Sequence, residues 1–83
     1  MRSPFPELVA TELARARTKH APMGTIHEGY AVLLEEVDEL WAEIKRRNPD
    51  RSDILGELVQ VGAMCQRFAE DVGLVLQRLG PRD

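Results

Sequence analysis

Two helix-period patterns joined by a proline turn constrain this chain more than any other feature. Ile26, Tyr30, Leu33, Val37, Leu40 and Ile44 are spaced four, three, four, three and four residues apart. After Asn48-Pro49-Asp50 the rhythm resumes in Ile54, Leu58, Val61, Cys65, Phe68, Val72, Val75 and Leu79. Such spacing keeps one face of an α-helix apolar over many turns and does not match the two-residue period of a strand. Thr25 with Glu28 three residues on is a capping box for the first run, set after the flexible pair Met23-Gly24. A shorter helix precedes both. Ser3, Pro4 and Pro6 suit its cap and first turn, and Leu8, Val9, Glu12, Leu13 and Ala16 form its stripe. Pro22 lies beyond its end. The expected architecture is therefore all-α, a single domain over 1–83 with helices at about 5–19, 26–47 and 53–79.

A short connection forces the two long helices, each about 30 to 40 Å at 1.5 Å per residue, to pack antiparallel as half of a helix bundle. Leu34, Trp41, Leu55, Val59 and Leu76 fall outside the main stripes, so each helix is apolar around more of its circumference than one neighbour covers. A chain of 83 residues also buries only roughly 60 to 65% of the surface it exposes unfolded. The single cysteine, Cys65, excludes an intrachain disulfide as the remedy. A second copy is the simplest cover, and a homodimer or a homotetramer satisfies the pattern.

Fourteen acidic against eleven basic residues give a net charge of −3, without the basic excess of a protein held on nucleic acid by phosphate contacts. The longest apolar run is Ala31-Val32-Leu33-Leu34, far short of the roughly 20 residues that cross a bilayer. Neither nucleic acid nor membrane is an expected partner. One thiol and an opening stretch without the apolar block of a signal peptide fit a cytoplasmic location.

The chemistry concentrates in Leu33-Leu34-Glu35-Glu36-Val37-Asp38-Glu39-Leu40-Trp41-Ala42-Glu43, five acids within nine residues. Glu36, Glu39 and Glu43 share one helix flank, and no lysine or arginine occurs between Glu28 and Lys45 to relieve their repulsion. On the third helix Glu57 lies one position before Leu58, as Glu36 lies before Val37 and Glu39 before Leu40, so the three flank the apolar seams alike. If they converge, they form the all-oxygen donor set that suits a hard divalent cation such as Mg²⁺. Gln60, one turn after Glu57, points the same way and offers a neutral amide carbonyl to a metal or its water. An acidic flank is also the ordinary composition of a solvated helix face, and spacing alone leaves both readings open.

Glu35-Glu36-Val37-Asp38-Glu39-Leu40 followed by Glu57-Leu58-Val59-Gln60 resembles the MazG-like all-α nucleoside triphosphate pyrophosphohydrolase family, whose pattern is EExxE and then ExxD. The resemblance extends to Glu12-Leu13-Ala14-Arg15-Ala16-Arg17 and to His27-Glu28-Gly29-Tyr30, and spans nearly the whole chain. It implies hydrolysis of a nucleoside triphosphate to the monophosphate and pyrophosphate, with Mg²⁺, or Mn²⁺ in its place, as cofactor. Glu36, Glu39 and Glu57 become metal ligands, and Glu35 orients a water or completes the metal shell, so Glu35, Glu36 and Glu39 carry catalysis. Gln60 stands where the family has aspartate, and this departure opens an alternative: a nucleotide-binding or regulatory oligomer with weak or no turnover. Asp53, one turn before Glu57, Asp71 or a ligand from another subunit would compensate for the missing aspartate in an active enzyme.

Several further residues have two readings each. Arg67, seven residues after Gln60, reaches the phosphates bidentately or pairs with Glu70 or Asp71. Trp41 and Tyr30 stack on a nucleobase or anchor packing. Lys45, with Arg46 and Arg47, attracts the triphosphate or answers the helix dipole. His20 and His27 flank the first turn and help to close a pocket, but no quartet for zinc accompanies them. Cys65, placed in the apolar seam, reads as a small buried hydrophobe.

Overall fold

The computed structural model describes residues 3–75. It contains three helices, α1 (Phe5–Lys19), α2 (Ile26–Ile44) and α3 (Arg51–Asp71), and no strand among the described residues. Ser3 Oγ accepts from Phe5 N at 3.1 Å at the start of α1, with Pro4 as its N-cap. Thr25 caps α2 by accepting from Glu28 N at 3.0 Å. Glu28 reaches back to the amide of Gly24 at 2.7 Å, one residue before the cap itself.

Three boundaries differ from the periodicity. Helix α2 stops at Ile44, three residues short of the expected 47, because Lys45 leaves helical geometry before the proline is reached. Helix α3 starts at Arg51, two residues early, because Asp50 is the N-cap and accepts from Ser52 N at 2.7 Å and Asp53 N at 3.1 Å. It ends at Asp71, not 79. Gly73 takes the left-handed conformation at φ 81°, Leu74 N bonds to Ala69 O at 2.9 Å and Gly73 N to Glu70 O at 3.3 Å. This double closure is a Schellman motif, and glycine is the residue that enters it without strain. The expected helical positions 76–79 lie outside the described residues.

Helix α3 is the centre of the fold: α1 and α2 each pack on it, and they make no close backbone approach to each other. Gly29 of α2 meets Phe68 of α3, and Glu39 meets Glu57, so the two long helices run antiparallel. Glycine at 29 has a packing reason, since a Cβ there would lie 2.4 Å from the Phe68 ring. The core is thin. Leu13, Ala16, Met23, Ala63 and Met64 are buried, with Val9, Val32, Leu33, Phe68 and Val72 packed against them.

The faces turned inward match those that periodicity selects only in part: Leu33, Leu40, Ile54, Val61, Phe68 and Val72 are half-buried, and the rest of the described stripes is exposed. On α2, Ile26, Tyr30, Val37 and Ile44 are exposed, whereas Gly29 is buried and Glu36 and Glu43 half-buried. On α3, Leu58 and Cys65 are exposed, as is Val75 beyond its end, while Glu57, Gln60, Met64 and Arg67 turn inward. Each helix is thus rotated by about one residue, near 100°. Gly29 allows the close approach of α2 to α3, and much of the broad apolar stripe is left outside. Cys65 is accordingly a free, exposed thiol and not a core residue.

Candidate functional site

Rotation of α2 and α3 brings their carboxylates face to face. Glu36, Glu39 and Glu57 each present an oxygen within 4.8 Å of the others. Glu57 Oε1 is buried and has no hydrogen-bond partner. Burial, then the negative charges of Glu39, Glu57, Glu35 and Glu12, pushes the Glu36 carboxyl up to about 7. Burial likewise raises Glu57, with Glu39, Glu43 and Asp53 adding repulsion. Glu43, at the edge of the group, is relieved by Arg46, whose Nη1 lies 3.1 Å away. The cation that pairs within this helix therefore comes after residue 44 and reaches only the last of the acids.

Beside the cluster lies a hollow of about 540 Å³ between α1 and α2. Glu12, Arg15 and Ala16 form one wall, Glu28, Val32, Glu35 and Glu36 the other, and Gln60, Met64 and Arg67 of α3 the floor. His20, Ala21 and Pro22 close its end. Arg15 binds Glu12 through both carboxylate oxygens at 3.0 and 2.6 Å, and that hydrogen bond is the main reason the Glu12 carboxyl sits below its usual range. Gln60 nearby, and the charges of Arg15 and Lys19, lower it further.

The end of the hollow is held by a charge network. Arg67, 5% exposed, donates from Nη2 to Ala21 O at 2.8 Å and from Nη1 to Met64 Sδ at 3.6 Å. Its Nε is 3.5 Å from Asp71 Oδ2 without making a hydrogen bond. Asp71 also accepts from Met23 N at 3.0 Å and from Arg17 Nη1 at 2.6 Å, while Arg17 Nη2 reaches Glu70 at 2.8 Å. Burial alone would raise the Asp71 carboxyl, but Arg17, the Met23 amide and the Arg67 charge outweigh it and hold it low. Residues 20–25 are thereby tied to the far end of α3.

Of the residues singled out in the sequence, Glu36, Glu39 and Glu57 meet, and Glu35, Gln60, Arg67 and His20 line the adjoining hollow. Trp41 and Lys45 lie outside it: Lys45 Nζ sits over the Trp41 ring at 5.7 Å, a cation–π contact on the exposed side of α2. His27 is exposed and outside the hollow as well. Asp71 is bound up with Arg17 and Arg67, away from the cluster, whereas Asp53 is close enough to raise Glu57. Sequence reasoning missed the pairing of Arg17 with α3, which a basic residue near a helix C-terminus does not signal. It also missed Glu12 and Arg15 as a wall of the hollow, although their three-residue spacing announces a mutual ion pair. No helix among the described residues is long and apolar enough to cross a membrane. Comparison with protein-family models, curated proteins and solved structures finds no match to this chain.

Proposed function

We propose that this chain is a nucleoside triphosphate pyrophosphohydrolase of the MazG-like kind, dependent on Mg²⁺ or Mn²⁺, releasing a nucleoside monophosphate and pyrophosphate as a homodimer or homotetramer. The observation that carries the reading is the meeting of Glu36, Glu39 and Glu57 beside a hollow, with Glu57 Oε1 buried and unpartnered. No basic group is among the causes of the Glu36 and Glu57 shifts, so their charged forms are left without a compensating cation. An all-oxygen donor set with that charge fits a hard divalent cation, which Glu36, Glu39 and Glu57 would hold. Such a cation, when bound, neutralises phosphate charge and lowers the pKa of a coordinated water.

The remaining roles fall to the hollow. Glu35, adjacent in sequence to Glu36 and lining the hollow, orients the attacking water and accepts its proton. Arg67 supplies a rigid, buried guanidinium at the floor, fixed by Ala21 and Asp71, toward which phosphate oxygens are drawn. Val32, Met64 and Pro22 give the hollow apolar surface for the nucleoside. Exposure of Tyr30, Trp41 and their neighbours on α2 supports the oligomer.

Gln60 favours a second reading, a nucleotide-binding regulator without turnover, because it adds no charge where the resemblance implies an aspartate ligand. A panel of nucleoside triphosphates incubated with Mg²⁺ or Mn²⁺, with products resolved, separates the two. Monophosphate plus pyrophosphate, lost in Glu39→Gln, is the result expected of the hydrolase. Nucleotide binding without turnover across the panel would transfer the assignment to the regulator.

A further inference from the structure

We propose that α2 carries a two-fold symmetric docking face on which a second copy of this chain packs antiparallel, α2 against α2. The inference rests on the assembly part of the reading above and is independent of its chemistry. Ile26, Tyr30, Leu34, Val37, Trp41 and Ile44 are between 40 and 61% exposed and follow one another at three- and four-residue steps. They therefore occupy one side of α2, while Gly29, Glu36 and Glu43 turn toward α3. With Leu58 of α3, the uncovered surface of these side chains amounts to roughly 700 Å² per copy, above the roughly 300 to 600 Å² patch of an ordinary monomer and near the roughly 800 Å² each partner gives a stable interface.

The order of the side chains suits a second copy as the occupant of this face. Read from either end, the stripe runs isoleucine, aromatic, aliphatic, aliphatic, aromatic, isoleucine. Ile26 mirrors Ile44, Tyr30 mirrors Trp41 and Leu34 mirrors Val37, about a centre beside Glu35 and Glu36. In an isologous two-fold contact each side chain meets the one at the mirrored position of the other copy, so this order sets aromatic against aromatic and aliphatic against aliphatic. In that pair Tyr30 packs on Trp41 of the partner subunit, twice, and Leu34 meets Val37 of the partner subunit at the axis. An offset aromatic pair at each end fixes the register. Helix α2 lines the hollow through Glu28, Val32, Glu35 and Glu36, none of which belongs to the stripe, so docking leaves the hollow open.

The test uses the full chain in a Cys65→Ser background. Light scattering of the wild type at micromolar concentration is expected to give an even-numbered oligomer, and Trp41→Glu to lower the state by dissociating this face. Tyr30→Cys and Trp41→Cys variants, mixed and oxidised in air, are expected to give the mixed 30–41 disulfide severalfold more than the 30–30 or 41–41 species. These positions are exposed, so the substitutions leave the core of the single chain intact. A monomeric wild type would overturn the assembly itself. An oligomer in which 30–30 or 41–41 bridges dominate, or in which no bridge forms, would overturn the antiparallel arrangement while leaving the hydrolase reading to its own product assay.

Discussion

Glu36 and Glu57 sit half-buried among other carboxylates, which makes their charged forms costly. For Glu36, burial first and then four neighbouring carboxylates lift the carboxyl from 4.5 to about 7. Between these values the folded chain keeps a proton that the unfolded chain has lost, so stability falls as pH rises from about 4.5 to about 7 and stays low above. With solvent screening of this half-exposed group allowed for, the loss is on the order of 1 to 2 kcal/mol. Thermal melts of the cation-free protein from pH 4.5 to 8 are expected to show a declining melting temperature. Glu36→Gln is expected to flatten the decline and to exceed the wild type in stability at pH 8. A wild-type profile that is flat or rises over this window would contradict the electrostatic account. Asp71, Glu12 and Asp50 are held below their usual values, so their contribution is lost only as pH falls further, in the opposite sense.

At the scale of helices and connections, the site depends on how closely α2 lies on α3 and on the tie between residues 20–25 and the end of α3. Gly29→Ala places a methyl against the Phe68 ring, and overpacking of this kind costs about 1 to 3 kcal/mol. Chemical denaturation measures it, and an unchanged midpoint would mean that the helices separate without penalty. Asp71→Ala strips the buried Arg67 of its counter-charge and frees the Met23 amide, with an expected loss of about 3 to 5 kcal/mol. Amide exchange at Met23 should accelerate in the same variant, and unchanged protection would show that the connection is held by other contacts. The helices themselves were legible from periodicity, from Thr25 with Glu28, and from Pro22 and Pro49. Their rotation was not, because periodicity finds the widest apolar stripe, and in a single copy much of that stripe faces outward. The inner face also uses other residues: Gly29 for close approach to α3, Ala63 and Met64 for the core, and Glu36, Glu57 and Arg67 for charge. Gly73, whose positive φ ends α3, was the available signal for the early stop.

Across the whole molecule, one rotation accounts for both the buried charge and the exposed apolar surface. Turning α2 and α3 by about a residue brings a carboxylate cluster inward and leaves part of the aliphatic seam exposed, which the proposed second copy covers. The acidic motif was legible because Glu36, Glu39 and Glu57 each precede a seam residue. That Gln60 lines the same hollow as Glu12, and that Trp41 pairs with Lys45 outside it, depended on tertiary positions that spacing does not encode. The claim on which the account turns is that Glu36, Glu39 and Glu57 act together as a cation site. Titration of the metal-stripped protein with Mn²⁺ at pH 7.5, followed by the loss of the free-ion paramagnetic resonance signal, tests it directly. One Mn²⁺ bound per chain, competed by Mg²⁺ and lost in Glu36→Gln/Glu57→Gln, is the predicted result; binding that is absent in the wild type, or unchanged in the double variant, would contradict it.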